Sequence, residues 1–150
     1  MRLISHRGNL SGRSPETENS PDRIDYCVVK GFDVEIDLWV VGNSYILGHD
    51  EPQYEVTKRY LDERIDNLWI HCKNESALFR LFYSDYNYFW HQEDDFTITS
   101  KRFIWTYPNK QEQYHKNQVI LDFEEINQEK LYDYKSKNIF GVCSDNFSFL

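Results

Sequence analysis

Phe32-Asp33-Val34-Glu35-Ile36-Asp37-Leu38-Trp39-Val40-Val41 is the stretch whose reading decides the fold. Its residues alternate with the two-residue period of a strand: Val34, Ile36 and Leu38 share one face, and Glu35, Asp37 and Trp39 share the other. Two carboxylates one residue apart on one face can hold a hard divalent cation. Upstream, Arg2 to Ser5 reads as a strand running into His6-Arg7-Gly8. Downstream, Gly42-Asn43 signals a turn, and Tyr45 to Leu47 returns as a short strand ending at Gly48-His49-Asp50. A polar loop, Asn9 to Ser20, separates the first strand from Pro21. Ser20 or Asn19 can cap a helix there, with Ile24, Cys27 and Val28 at helical spacing and Gly31 as its stop. Two imidazoles, two carboxylates and a cation would together supply the acid, the base and the charge needed to cleave a phosphate ester.

Further along, Glu55 to Ile65 reads as a short helix and Leu68 to Cys72 as a strand. Glu75 to Tyr83 reads as a helix presenting Leu78, Phe79 and Phe82. Tyr88 to His91 reads as another strand, and Phe96 to Ser100 and Phe103 to Tyr107 as β-rich segments. Val119 to Phe123 reads as a strand or an extended connection, and Ile139 to Cys143 as the last strand. The polar run Asn109 to Asn117 is the expected mobile loop. Strands alternating with helices imply parallel βαβ units. His6, Lys73, His91 and Asp145 fall at strand C-termini, where a (β/α) barrel keeps its active site. Eight complete units need about 200 residues or more. The expected fold is therefore α/β, an abbreviated TIM-type (β/α) barrel with fewer than eight complete units, forming a single domain over 1–150.

Bulk composition narrows the function classes. A net charge of −8 argues against a nucleic-acid groove and against an anionic membrane surface. No apolar run approaches the ~20 residues of a membrane span, and no signal peptide is expected. Cys27, Cys72 and Cys143 are an odd number without CxxC spacing, which reads as buried reduced thiols in a cytoplasmic protein. A shortened barrel exposes strand edges, so a homodimer that covers them is expected.

His6-Arg7-Gly8, Glu18-Asn19-Ser20-Pro21, Glu35-Ile36-Asp37 and His49-Asp50 resemble, in order and spacing, the pattern of the glycerophosphodiester phosphodiesterases, a family of phospholipase-C-like phosphodiesterase barrels. The resemblance covers about a third of the chain. The family's next strand carries Glu-x-Lys, and this chain has His71-Cys72-Lys73 instead. Ser144-Asp145 echoes a final Thr-Asp-like strand end, and the run from His91 to Asp95 looks like a shortened branch of such proteins.

The resemblance implies a metal-dependent phosphodiesterase that hydrolyses or transphosphorylates a small, glycerophosphodiester-like phosphodiester. His6 and His49 would be the acid/base pair, with Glu35 and Asp37 binding one divalent cation, Mg²⁺, Ca²⁺ or Mn²⁺. His71, standing where a carboxylate is expected, would as a third ligand favour Mn²⁺ or Zn²⁺. Arg7 is a natural phosphate fork, or else pairs with an acidic neighbour such as Glu35 or Asp145. Lys73 would add positive charge to the same pocket. Trp39, on the face of Glu35 and Asp37, is the aromatic candidate for a pocket wall, and His91 is a further pocket residue. The alternative is a catalytically inactive barrel that binds a phosphorylated ligand.

Overall fold

In the computed structural model, which describes residues 1–149, the chain runs β1 (Arg2–His6), α1 (Pro21–Val29), β2 (Asp33–Val41), β3 (Ser44–Leu47), β4 (Tyr54–Val56), α2 (Lys58–Asp62), β5 (Leu68–Cys72), α3 (Glu75–Leu81), β6 (Asn87–Phe89), β7 (Phe96–Ile98), β8 (Ile104–Thr106), β9 (Gln118–Leu121), α4 (Gln128–Ser136) and β10 (Gly141–Ser144). The fold is mixed α/β, with one curled, barrel-like sheet. Its path is β6-β5-β2-β1-β10-β9-β8-β7, parallel throughout except for β7, which runs antiparallel to β8. Where β7 approaches β6, isolated hydrogen bonds replace a ladder: Ser100 N donates to Tyr88 O (2.8 Å), and Thr97 Oγ1 to Trp90 O (3.1 Å).

The length of β2 organises this sheet. Its first residues pair with β1 through Asp33–Glu35, its last pair with β3 through Leu38–Val41, and its other edge takes β5 from Val34 to Leu38. The alternation in its sequence sorts two cores. Val34, Ile36 and Leu38 face outward with Leu68, Ile70 and Cys72, under Ile24 and Cys27 of α1 and Ala77 and Leu81 of α3. Inside the curl, Ile4, Trp69, Phe89, Trp105, Val119, Leu121 and Cys143 form a second, aromatic core. Each large apolar side chain so buried contributes roughly 1.5–3 kcal/mol.

Helix ends follow their caps. Pro21 starts α1, whose cap residue Ser20 makes no side-chain bond, and Gly31 (φ 86) follows its end. The side chain of Asn74 accepts from Ala77 N to cap α3, and it bonds both backbone polar groups of Val40, tying that helix to β2.

Two expectations need correction, and one helix was unexpected. Glu55 to Ile65 is not one helix: Tyr54–Val56 pairs with β3 as strand β4, and Thr57 caps the short α2. The helix expected at Glu75–Tyr83 stops at Leu81, and of Leu78, Phe79 and Phe82 only Leu78 packs against the core. Ala77 and Leu81 are buried, whereas Phe79 and Phe82 are 69% and 62% exposed. Helix α4 was not announced by the sequence pattern; its one fully inward residue is Tyr134, whose hydroxyl donates to Asp122 Oδ2 (2.7 Å). All three cysteines are buried and unpaired.

Candidate active site

Register places the chemistry. His6 on β1 lies beside Glu35 on β2, Asp37 on β2 lies beside His71 on β5, and His71 lies beside Phe89 on β6. Side chains of one inward-facing set at the strand C-termini therefore converge. A cavity of about 270 Å³ opens there, lined by His6, Arg7, Glu35, His49, His71, Lys73, Phe89, His91, Gln92, Trp105, Tyr107, Leu121 and Phe123. A larger cavity, about 460 Å³, lies at the opposite ends of the strands around Arg2, Asp33 and Phe140, away from these groups.

Asp37 is fully buried and heavily partnered. Asn19 Nδ2 donates to its Oδ2 (2.9 Å), and Asn19 Oδ1 accepts from its backbone N–H (2.8 Å). Arg7 Nε lies 3.1 Å from Oδ2 as an ion pair without hydrogen-bond alignment, and Lys73 Nζ lies 3.5 Å from Oδ1. His71 Nδ1 is 3.0 Å from Oδ1. Burial opposes ionisation, but the hydrogen bond from His71 and the charges of Arg7 and Lys73 hold the carboxyl well below its usual range. Glu35 is the opposite case. Burial, and then the charge of Asp37, push it above the ordinary carboxylate range.

Arg7 and Asn19 both adopt left-handed backbone conformations (φ 55 and 62), and Asn19 N donates to Arg7 O (2.9 Å). Non-glycine residues rarely sit there, and such strain clusters at functional sites. The ion-pair partners of Arg7 are Glu18 (Nη1 to Oε2, 3.2 Å) and Asp37, rather than Glu35 or Asp145. Buried Glu18 also accepts from Asn9 Nδ2 (3.1 Å) and Arg13 Nε (3.2 Å).

His6 is oriented from behind. Its Nδ1 faces Asp145 Oδ1 at 2.9 Å, and Asn9 Nδ2 donates to the same oxygen at 2.8 Å. A carboxylate only accepts, so Nδ1 carries a proton and Nε2 faces the cavity, 3.8 Å from Glu35 Oε2. Burial works against the Asp145 charge, yet its bond with His6 keeps its carboxyl below the ordinary value. His49, on the loop after β3, is the more exposed histidine of the pair, with Nδ1 2.7 Å from Asp50 Oδ1. Burial, with Arg7 and Lys73 nearby, lowers its pKa. Gly48 (φ 153) makes that loop possible, because a Cβ there would overlap the Glu51 carbonyl oxygen.

Glu35, Asp37 and His71 offer ligand atoms all within 4.8 Å of one another, so the group could hold a metal ion. Glu35 Oε2 is buried and has no hydrogen-bond partner, which fits an oxygen kept for a cation. His91 lines the cavity beside them, its ring stacked on that of His71 at 4.9 Å. Burial and the neighbouring His71 push its pKa down to about 4, so it is neutral at pH 7.

Trp39 is placed elsewhere. Its indole donates to Gly48 O (2.7 Å), bracing the hairpin that carries His49, and it is not among the residues lining the cavity. Phe89, Trp105, Tyr107, Leu121 and Phe123 form the apolar wall instead, with the Phe123 ring 5.2 Å from that of His6. Sequence reasoning missed the supporting residues. Asn19 reads as a helix cap, whereas its side chain serves Asp37; Glu18 is marked by the Glu18–Pro21 motif but without a role, and Asn9 carries no local signal beyond lying in a polar loop. Comparison of the chain with models of known families, with curated proteins and with solved structures finds no match. Among the described residues, no helix is long and apolar enough to cross a membrane.

Proposed function

We propose that this chain is a metal-dependent phosphodiesterase acting on a small, glycerophosphodiester-like phosphodiester, and that its curled sheet is an abbreviated TIM-type barrel. One observation carries the reading: His6, Arg7, Glu35, His49, His71 and Lys73 come from four segments of the chain and line one cavity at the strand C-termini. At about 270 Å³ that cavity is near the lower end of small-molecule sites, roughly 300–1,000 Å³, which suits a small substrate.

A divalent cation held by Glu35, Asp37 and His71 would neutralise phosphate oxygens. The chain's own groups do the rest. Arg7 and Lys73 attract the phosphate and set its position. Asp145 and Asp50 each face the Nδ1 of a histidine, leaving Nε2 of His6 and of His49 to exchange protons with the reactants. One takes a proton from a water or an adjacent substrate hydroxyl, and the other returns one to the leaving alkoxide. The aromatic wall restricts water at that side. The three unpaired cysteines support a cytoplasmic location.

The test is turnover of bis-p-nitrophenyl phosphate and a glycerophosphodiester panel with Mg²⁺, Ca²⁺, Mn²⁺ or EDTA. Turnover that appears with metal and vanishes with EDTA is expected. The second reading, an inactive barrel that binds a phosphorylated ligand, has its own support: Asp37 already meets Arg7, Lys73, His71 and Asn19. Glycerol phosphate binding without turnover under any metal would favour it.

A further inference from the structure

We infer that His71 Nδ1 is a nitrogen ligand in the Glu35–Asp37 cation site, which makes the site one for an imidazole-accepting cation, Mn²⁺ or Zn²⁺, in preference to Mg²⁺ or Ca²⁺. This rests on the reading of Glu35, Asp37 and His71 as a cation site. The orientation of the ring is the first support. His71 Nε2 lies 3.1 Å from the backbone carbonyl oxygen of His91, which can only accept, so Nε2 carries a proton. Nδ1 faces Asp37 Oδ1, 3.0 Å away, with Glu35 Oε1 at 4.0 Å, and as a ligand it would give up the proton it donates to Asp37 and turn that lone pair to the cation. A backbone carbonyl fixing the far nitrogen of an imidazole is how metal-binding histidines are oriented. Stacking on Phe89, at 5.3 Å and nearly coplanar, holds the ring in that plane.

Spacing agrees. Two ligands at right angles on a cation with bonds of about 2.1 Å stand about 3.0 Å apart, which is the Nδ1–Oδ1 distance. The buried, unpartnered Glu35 Oε2 supplies the independent sign that the cluster awaits a cation.

Charge then selects among cations. Mg²⁺ and Ca²⁺ take oxygen ligands and draw their affinity from carboxylate charge. Here two carboxylates stand beside two fixed cations, with Arg7 Nε at 3.1 Å and Lys73 Nζ at 3.5 Å from Asp37. Little net negative charge remains for a hard ion. A bond to neutral imidazole nitrogen does not depend on that charge, and it is stronger for transition cations and zinc.

The experiment uses the full chain stripped of metal and titrated with Mn²⁺, read by electron paramagnetic resonance. Bound Mn²⁺ is expected to show ¹⁴N modulation in the pulsed spectrum and to resist a hundredfold excess of Mg²⁺. In His71→Glu the nitrogen signal should disappear, and Mg²⁺ should compete on the order of 10–100-fold better. His71→Gln serves if the glutamate variant does not fold, with the same loss of signal expected. Bound Mn²⁺ without nitrogen modulation, modulation that survives both substitutions, or displacement by equimolar Mg²⁺ would overturn the inference and leave the cation site standing. Failure of Mn²⁺, Zn²⁺, Mg²⁺ and Ca²⁺ alike to bind would overturn the cation site itself, and the inference with it.

Discussion

The part of the sheet built from β1, β2 and β5 differs from the part built from β6 to β9 in what covers it. α1 and α3 pack over the first, and every outward residue of β2 from Val34 to Val40 is buried. Among the described residues, no helix intervenes between β6 and β7 or between β8 and β9, and Phe96 and Ile98 on β7 stay 65% and 67% exposed. The thick part carries Arg7, Glu35, Asp37, His71 and Lys73. The thin part gives the cavity mainly a wall, through Phe89, Trp105, Tyr107 and Phe123. If the curled sheet is an abbreviated barrel, as proposed, its shortening falls where strands supply only apolar surface to the inside. Buried charges need both faces of their strands held.

That contrast sets the expected stability effects. Ile36→Ala empties a site with no exposure between β2 and its helices, and should cost about 2–5 kcal/mol in urea denaturation. Asn19→Ala removes two hydrogen bonds from buried Asp37 and puts alanine at φ 62. It should cost about 2 kcal/mol by the same measurement and weaken cation binding.

His91 sits where the two parts meet, and its effect depends on pH. Its pKa is about 4 in the folded protein against an ordinary 6.5, so on acidification the unfolded chain takes up the proton first. Stability from this group is therefore full above pH 6.5 and falls as pH drops towards about 4. Because the ring is partly exposed, the loss should be about 1 kcal/mol after screening. His91→Phe keeps the stacking and should flatten that limb of the curve of melting temperature against pH. The smallest effect belongs to the thin part: Ile98→Ala should change stability by no more than about 0.5 kcal/mol. A cost near that of Ile36→Ala would mean that something covers β7 in solution.

Much of the thick part was legible in the sequence. Alternation in 32–41 gives β2 and its two faces, and Pro21 and Gly31 bracket α1. The four motifs give the residues that the strand C-termini bring together. The rest failed for identifiable reasons. Ala77 is too small to mark a buried stripe, so Phe79 and Phe82 misdirect the phase of α3. α4 is mostly polar and is held by a tyrosine–aspartate bond that no periodicity shows. Trp39 shares the Glu35–Asp37 face as alternation says, but it lies beyond the cavity, where its indole meets the hairpin. The roles of Asn19 and Asp145 depend on contacts across 18 and 139 residues, which local reading does not reach.

The central claim is that His6 and His49 act together on a phosphodiester in the cavity of the thick part. It is tested most directly by turnover of bis-p-nitrophenyl phosphate by wild type, His6→Ala and His49→Ala, each shown folded by circular dichroism. Loss of on the order of 10²–10⁴-fold in each variant, with the fold unchanged, is the predicted result. Turnover at the wild-type rate in either folded variant would contradict it.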